Sequence, residues 1–210
     1  MIPSEIDAVI LANGAFPTAE PPLALLRTAK QVVCCDGAAA KLMAHGLEPT
    51  AIVGDMDSLP AELRLRLNGM VHQINEQELN DLSKTVGWCH AQGLRRLAIV
   101  GATGLRDDHS LGNIMLLPRY ARMGLSVCML TDTGIFRPLL ASATLSGHPG
   151  QQVSIFSPNP TTRITTQGLQ YPLQHQSLPE LWMGTLNCCQ GSSFGLSFEP
   201  GPLVVFQSYQ

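Results

Sequence analysis

Apolar and polar positions follow two different patterns along this chain. In the first 140 residues, short, mainly apolar runs alternate with stretches of helical periodicity. Ile6–Ala12, Gln31–Cys35, Thr50–Val53, Met70–Ile74, Leu97–Val100 and Leu125–Leu130 have the length and character of strands buried on both faces. Helices are expected between them over 21–30, 37–45, 60–67, 79–92 and 109–123, with Gly46 and Gly93 placed to end two of them. In the 79–92 segment, Leu82, Val86 and Cys89 form an apolar stripe, and Trp88 beside Cys89 is expected in the core. Alternating strands and helices imply a mostly parallel, Rossmann-like sheet with helices on both faces.

Beyond residue 140 the pattern changes. The tail is rich in Ser, Thr, Gln and Gly, with short apolar runs at Val153–Phe156 and Leu203–Phe206. His148-Pro149-Gly150, Ser157-Pro158-Asn159-Pro160 and Glu199-Pro200-Gly201-Pro202 are turn signals between them. Short strands between regular turns point to an all-β unit. The fold class expected is therefore α/β followed by all-β, with an α/β domain over 1–140 and a β domain over 146–210.

Charge sharpens the division. Of 13 Lys/Arg and 16 Asp/Glu, only Arg163, Glu180 and Glu199 fall after residue 140. Charged residues make up 14% of the chain, against about 25% in an average soluble protein, so some low-charge surface is expected to be covered by another subunit. A net charge of −3, with no basic block longer than Arg95-Arg96, argues against a nucleic-acid-binding stripe and a polybasic membrane anchor. The first 26 residues hold no Lys or Arg, so a secretory leader is not expected. The six cysteines include two vicinal pairs and no C-x-x-C, which suits buried thiols in a reducing cytoplasm.

All eight aspartates lie in the first 140 residues, and five closely follow predicted strands: Asp36, Asp55, Asp57, Asp108 and Asp132. Open α/β sheets bind ligands beyond the carboxyl ends of their strands. Aspartate is also an ordinary loop and cap residue. Two acids two residues apart after a buried run, as in Gly54-Asp55-Met56-Asp57-Ser58, are less ordinary. Carboxylates gathered there repel unless a cation neutralises them, and hard oxygen ligands suit Mg²⁺ carrying substrate phosphates. Asp81 and Lys84 are neighbours at helical spacing, expected on a face away from the apolar stripe. They read either as a surface ion pair or as a carboxylate beside a phosphate-binding ammonium. Gly101-Ala102-Thr103-Gly104-Leu105-Arg106-Asp107-Asp108-His109 follows a strand and opens a helix, a setting in which backbone N–H groups and a guanidinium meet phosphate. It is neither a Walker A loop nor G-x-G-x-x-G. Tyr171 and Trp182 in the tail could pack inside or stack on a ring ligand.

Together these segments resemble the thiamine pyrophosphokinase family over nearly the whole chain. The resemblance runs through Leu11-Ala12-Asn13-Gly14, Cys35-Asp36-Gly37-Ala38, Gly54-Asp55-Met56-Asp57-Ser58, Asn80-Asp81-Leu82-Ser83-Lys84, Gly101 through Asn113, and Thr166 through Leu173. It implies an α/β nucleotide-binding domain and a β-sandwich, dimerised so that thiamine sits between subunits. It also implies Mg²⁺, and ATP as the donor of a diphosphate to the hydroxyethyl group of thiamine. By motif, Asp55, Asp57 and Asp81 would be catalytic and hold Mg²⁺, and Lys84 would neutralise the transferring group. Asp36, Thr103, Gly104, Arg106, Asp108 and His109 would lie on the ATP side. Gln77, Tyr171, Thr185 and Asn187 would serve thiamine. The family usually carries a Ser-Asn pair near the start of a late strand, contributing to the thiamine pocket; here Asn187 matches, Leu186 stands in place of the serine, and Thr185 lies one residue earlier. Either Asp81 or Asp57 could accept the alcohol's proton. The alternatives are a pyrophosphokinase for another ring-bearing alcohol such as a pterin, a non-catalytic nucleotide sensor, and a metal-dependent phosphohydrolase.

Overall fold

The computed structural model describes residues 5–210. These fall into two compact units, one of residues 5–113 with 124–132, the other of residues 114–123 with 133–210. The fold is mixed α/β with a mostly parallel sheet and a β-rich C-terminal part.

The first unit holds strands β1 (Ala8–Leu11), β2 (Val32–Cys35), β3 (Ala51–Gly54), β4 (Val71–Gln73), β5 (Arg96–Val100) and β6 (Ser126–Leu130). They align in the order β6-β5-β1-β2-β3-β4, every pair parallel. The order reverses between β1 and β5, which opens a crevice at the carboxyl ends of those two strands. β1, β2 and β3 are buried along their whole length, because both faces of a parallel sheet are covered. β4 departs from the expectation of two-sided burial. It is half-buried to exposed, as the edge strand pairing only with β3.

The helices are α1 (Glu20–Thr28), α2 (Ala38–Ala44), α3 (Ala61–Arg66), α4 (Asp81–Ala91) and α5 (Asp107–Arg122). Each overlaps a segment expected to be helical. Leu82, Val86 and Cys89 are buried on α4 as their spacing requires, but Ser83, Lys84 and Thr85 are buried too. Lys84 is therefore not on a surface face. Trp88 is only half-buried and packs against His72, ring centroids 4.7 Å apart, because it points at the edge strand rather than into the core. Five of the six cysteines are buried free thiols, and burial pushes the Cys34 and Cys89 thiols up to about 12.

In the other unit, β7 (Gly134–Leu139), β9 (Gln152–Phe156), β11 (Asn187–Cys188) and β13 (Leu203–Ser208) form antiparallel pairs in the order β11-β9-β13-β7. β8 (Ala143–Ser146), β10 (Arg163–Gln167) and β12 (Ser193–Glu199) form a second antiparallel sheet, β10-β12-β8. Val153, Ile155, Leu203 and Val205 from the first set share one buried cluster with Ile164, Phe194, Leu196 and Phe198 from the second. Alternation along β12 buries Phe194, Leu196 and Phe198, with Gly195 half-buried and Ser197 exposed between them. No helix among the described residues is long and apolar enough to cross a membrane.

One ionic clamp fixes the start of β1 against β5. The Asp7 carboxylate accepts from the backbone N–H groups of Arg95 and Arg96 and from Arg96 Nε, each at 2.9 Å. Arg96's hydrogen bond and these amides hold the Asp7 carboxyl well below the usual carboxylate range. A depressed folded-state pKa contributes stability above the unfolded value near ~4 and loses it as pH falls toward the folded value. Asp7→Asn should therefore lower Tm at neutral pH and lose less Tm than the parent on acidification. Parallel Tm–pH curves for the two proteins would count against the clamp.

Candidate active site

A cleft of about 450 Å³ lies beyond the carboxyl ends of the parallel strands, at the β1/β5 reversal. The turns after β1 (Asn13, Gly14), β3 (Asp55, Ser58) and β5 (Ala102, Thr103) line it, with Gln77, the start of α4 and the start of α5.

Its floor is an acid cluster pinned by one ammonium. Lys84 Nζ lies 3.1 Å from Asp55 Oδ2 and 3.1 Å from Asp81 Oδ1, and the Lys84 side chain is only 3% exposed. Burial alone would push the Lys84 pKa down. The hydrogen bonds to Asp55 and Asp81 outweigh it, and the net shift is upward. The same hydrogen bond from Lys84 holds the Asp55 carboxyl below its usual value. Asp36 completes the group: carboxylate oxygens of Asp36, Asp55 and Asp81 all lie within 4.8 Å of one another. Asp36 sits at φ 42, just past β2, and is 1% exposed. Its Oδ2 accepts from Ser58 N at 2.9 Å, while the buried Oδ1 has no hydrogen-bond partner. Burial, and then the charges of Asp81 and Asp55, raise the Asp36 pKa. A buried carboxylate oxygen without a donor is costly unless a cation meets it.

The walls are tied together by amides. Asn80 caps α4, its Oδ1 accepting from Ser83 N at 2.9 Å. Its Nδ2 donates to Asn113 Oδ1 at 3.2 Å, and Asn113 Nδ2 donates to Ala102 O at 2.9 Å. This chain joins the helix bearing Asp81 and Lys84 to α5 and the turn after β5. Gln73 Nε2 donates to Asp55 O at 3.1 Å, which ties the acid turn to β4.

The residues expected from the sequence are distributed as follows. Asp55, Asp81, Lys84, Gln77, Thr103, Arg106 and His109 all line the cleft. Asp36 stands in the acid cluster with Asp55 and Asp81; Asp57 is exposed and outside that cluster, and the Asp57 backbone N–H donates to Asp55 Oδ1 at 3.4 Å. Gly104 forms the turn at φ 89 without lining the cleft. Asp108 is exposed and grips Arg106 through Nε (3.1 Å) and Nη2 (2.6 Å), an exchange that holds the Asp108 carboxyl at about 2. Asp132, also after a strand, caps the approach to α1, accepting from Thr18 N and Ala19 N at 2.9 and 3.1 Å.

Tyr171, Thr185 and Asn187 belong to the β-rich unit. Asn187 is buried, and its amide is engaged by the protein. Oδ1 accepts from Tyr171 N (3.1 Å) and Cys188 N (2.8 Å), and Nδ2 donates to Tyr171 O (2.7 Å). The Thr185 hydroxyl donates to Trp182 O at 2.7 Å. Tyr171 and Trp182 are both exposed rather than in the core, as are Leu181, Met183 and Leu186, the last at φ 58. The structural work of Asn80, Asn113 and Gln73 is not foreshadowed by the motifs of the sequence. Only Asn80, directly before Asp81 at a helix start, carried a local cap signal.

Two families tile the chain: thiamin pyrophosphokinase, catalytic domain, over residues 23–129, and thiamin pyrophosphokinase, substrate-binding domain, over residues 134–206. The chain is 27% identical over 205 residues to thiamine pyrophosphokinase 1 of Oryza sativa subsp. japonica, spanning 81% of this chain and 75% of that protein. It is 24% identical over 186 residues to the thiamine pyrophosphokinase of Bacillus subtilis (strain 168), spanning 82% and 85%. The crystal structure of the Bacillus subtilis thiamine pyrophosphokinase matches with a TM-score of 0.78 at 22% identity, over 96% of this chain and 98% of that one. Thiamin pyrophosphokinase from Candida albicans matches with a TM-score of 0.79 at 15% identity, over 97% and 90%. At such identities the structural likeness speaks for the fold.

Proposed function

The chain belongs to the thiamin pyrophosphokinase family, and from that premise we propose how its own residues carry out the family's reaction, ATP-dependent transfer of a diphosphate to thiamine. The observation that carries the proposal is the buried Lys84 ammonium between Asp55 and Asp81, with the orphan oxygen of Asp36 beside them.

Three carboxylates against one ammonium leave an excess of two negative charges, which suits one divalent cation, and all the donors are hard oxygens. Asp36, Asp55 and Asp81 are the residues that would hold Mg²⁺, with Asp57 a fourth carboxylate on the same turn. When bound, the ion supplies charge neutralisation for the polyphosphate. Transfer of this kind depends mainly on positioning and on charge stabilisation. Lys84 offsets charge on the moving diphosphate from a dry position where its field is little screened. Arg106 is held by Asp108 through Nε and Nη2, which leaves Nη1 for phosphate oxygens of ATP. The N–H groups at the start of α5 and the Gly101–Gly104 turn favour the same anion. His109 and Thr103 border the nucleotide, and Gln77 faces the acceptor. The alcohol's proton passes to Asp81 or Asp57.

The parallel unit is read as a Rossmann-like nucleotide domain and the β-rich unit as a sandwich serving thiamine. Exposed Tyr171 and Trp182 each offer an aromatic side chain on which a ring can stack, and Asn187 serves the first by fixing the Tyr171 backbone. The exposed apolar residues from Leu181 to Leu186 support a homodimer that covers them, with each thiamine site completed by the partner. Free, mostly buried cysteines support a cytoplasmic location.

Incubation with ATP, Mg²⁺ and thiamine should yield AMP and thiamine diphosphate in equal amounts, with no ADP, when the products are resolved by chromatography. Stoichiometric ADP with thiamine monophosphate would sink the reading, as would phosphate release that needs no acceptor. Activity only with another ring-bearing alcohol would move the acceptor and keep the chemistry.

A further inference from the structure

Lys41, on α2, is a half-buried cation whose hydrogen-bond partners among the described residues are backbone carbonyls. Its Nζ donates to Asn13 O at 2.9 Å and Gly14 O at 2.6 Å. These carbonyls need a donor for a topological reason. β1 pairs with β2 only as far as Leu11 and Cys34, after which the second strand turns off at Asp36. On the β5 side the N–H groups continue the ladder: Ala12 N to Val100 O at 2.9 Å, Gly14 N to Gly101 O at 2.7 Å, Ala15 N to Thr103 O at 2.9 Å. The facing carbonyls have lost their strand, and Lys41 substitutes for it.

A second contact acts on the same turn. His45, one helical turn beyond Lys41, stacks on Phe16 with ring centroids 3.7 Å apart and planes 7° from parallel. Its Nδ1 lies 2.8 Å from Lys41 O, which keeps the imidazole at the helix end. The turn so held is pressed against its neighbour. A Cβ at Gly14 would lie 2.5 Å from Gly101 O and 2.6 Å from Thr103 O. Asn13, Gly14, Ala102 and Thr103 all line the cleft, whereas Lys41 does not.

We propose that Lys41, assisted by His45, is a positioning residue for the nucleotide: it holds the Asn13–Phe16 turn as the cleft wall, without touching the phosphates. This rests on the nucleotide reading of the cleft. Burial lowers the Lys41 pKa, as expected for an ammonium solvated by carbonyls and lacking a counter-charge.

The test compares the parent with Lys41→Met, Lys41→Arg and His45→Ala. The readouts are calorimetric binding of Mg-ATP and of AMP, hydrogen exchange at the Gly14 and Ala15 amides, and steady-state kinetics. Lys41→Met should weaken both nucleotides by about 10-fold, the scale of losing a charged hydrogen-bond donor, and speed exchange at both amides. It should raise the KM for ATP while kcat at saturation stays within about threefold, since the acid cluster is untouched. Lys41→Arg should recover most of the affinity, because a guanidinium also donates to two carbonyls. His45→Ala should shift affinity and exchange the same way by less, and it carries the test if Lys41→Met does not fold. Unchanged affinity and exchange would overturn the proposal. So would a loss much larger for ATP than for AMP, which would mean direct contact with the polyphosphate. A parent that binds nucleotide without making thiamine diphosphate would overturn the activity and leave this inference standing. A parent that binds no adenine nucleotide would overturn both.

Discussion

Lys84→Met lowers kcat by about 10³-fold at saturating substrates, the upper range for removing one preorganised electrostatic contact from a transition state. The effect is large because Lys84 is almost fully enclosed and sits 3.1 Å from both Asp55 and Asp81. The ammonium offsets part of the site's negative charge and sets the spacing of two carboxylates that would otherwise repel. Its loss should also be visible without catalysis. With the cation gone, added Mg²⁺ should raise Tm more in the variant than in the parent, because a divalent ion then relieves a larger repulsion. Lys84→Arg should not restore turnover, since a planar fork cannot replace a compact ammonium between two acids. A Lys84→Met protein with turnover within tenfold of the parent would remove Lys84 from the chemistry.

The acids themselves should be nearly as sensitive. Asp55→Asn and Asp81→Asn are each expected to cut turnover by at least about 10²-fold and to weaken Mg²⁺ or Mn²⁺ binding measured by calorimetry. The fold should survive both changes, because the two carboxylates stand at a strand end and a helix start. Asp36→Asn is the sharper case. Its Oδ1 is buried with no donor, so removing the charge should hold or raise Tm in the absence of metal while metal affinity and turnover fall. Asp57→Asn is the control for the third ligand, since Asp57 is exposed and outside the cluster. If Asp57→Asn abolishes metal binding and Asp36→Asn does not, the orphan oxygen has another purpose and the ligand set is Asp55, Asp57 and Asp81.

The parts of the fold that were legible are those whose burial is two-sided. β1, β2, β3, β5 and β6 read as apolar runs because a parallel strand covered on both faces must be apolar on both. β7 was not legible. Gly134–Leu139 carries Arg137 and Pro138 and is only partly buried, so neither a run nor an alternation marks it. It becomes a strand by pairing with β13, from Gly134 opposite Ser208 to Leu139 opposite Leu203. β10 is similar: Ile164 and Thr166 face the core, but Arg163–Gln167 contains a single apolar residue.

The candidate site divides in the same way. That acids would follow strands, and that Asp81 and Lys84 would be neighbours, is local information: strand ends and helical spacing lie within a few residues of the side chains concerned. Which acids meet is not local. Asp36 reaches Asp55 and Asp81 because β2 and β3 pair with Cys35 opposite Val53, and because the chain turns at Asp36 through a left-handed φ of 42°. Helical spacing put Lys84 on a face away from the apolar stripe of Leu82, Val86 and Cys89; it is buried nonetheless because α4 packs onto β2 and β3. Lys41 gave no signal at all, since its partners are backbone carbonyls 28 and 27 residues away. Sequence thus determined the alternating fold and the kinds of chemical group at the strand ends, since both follow from the burial of each segment. Tertiary structure alone decided which carboxylates gather around Lys84 and which lysines lose their water, because those outcomes depend on strand register and helix docking between segments far apart in the chain.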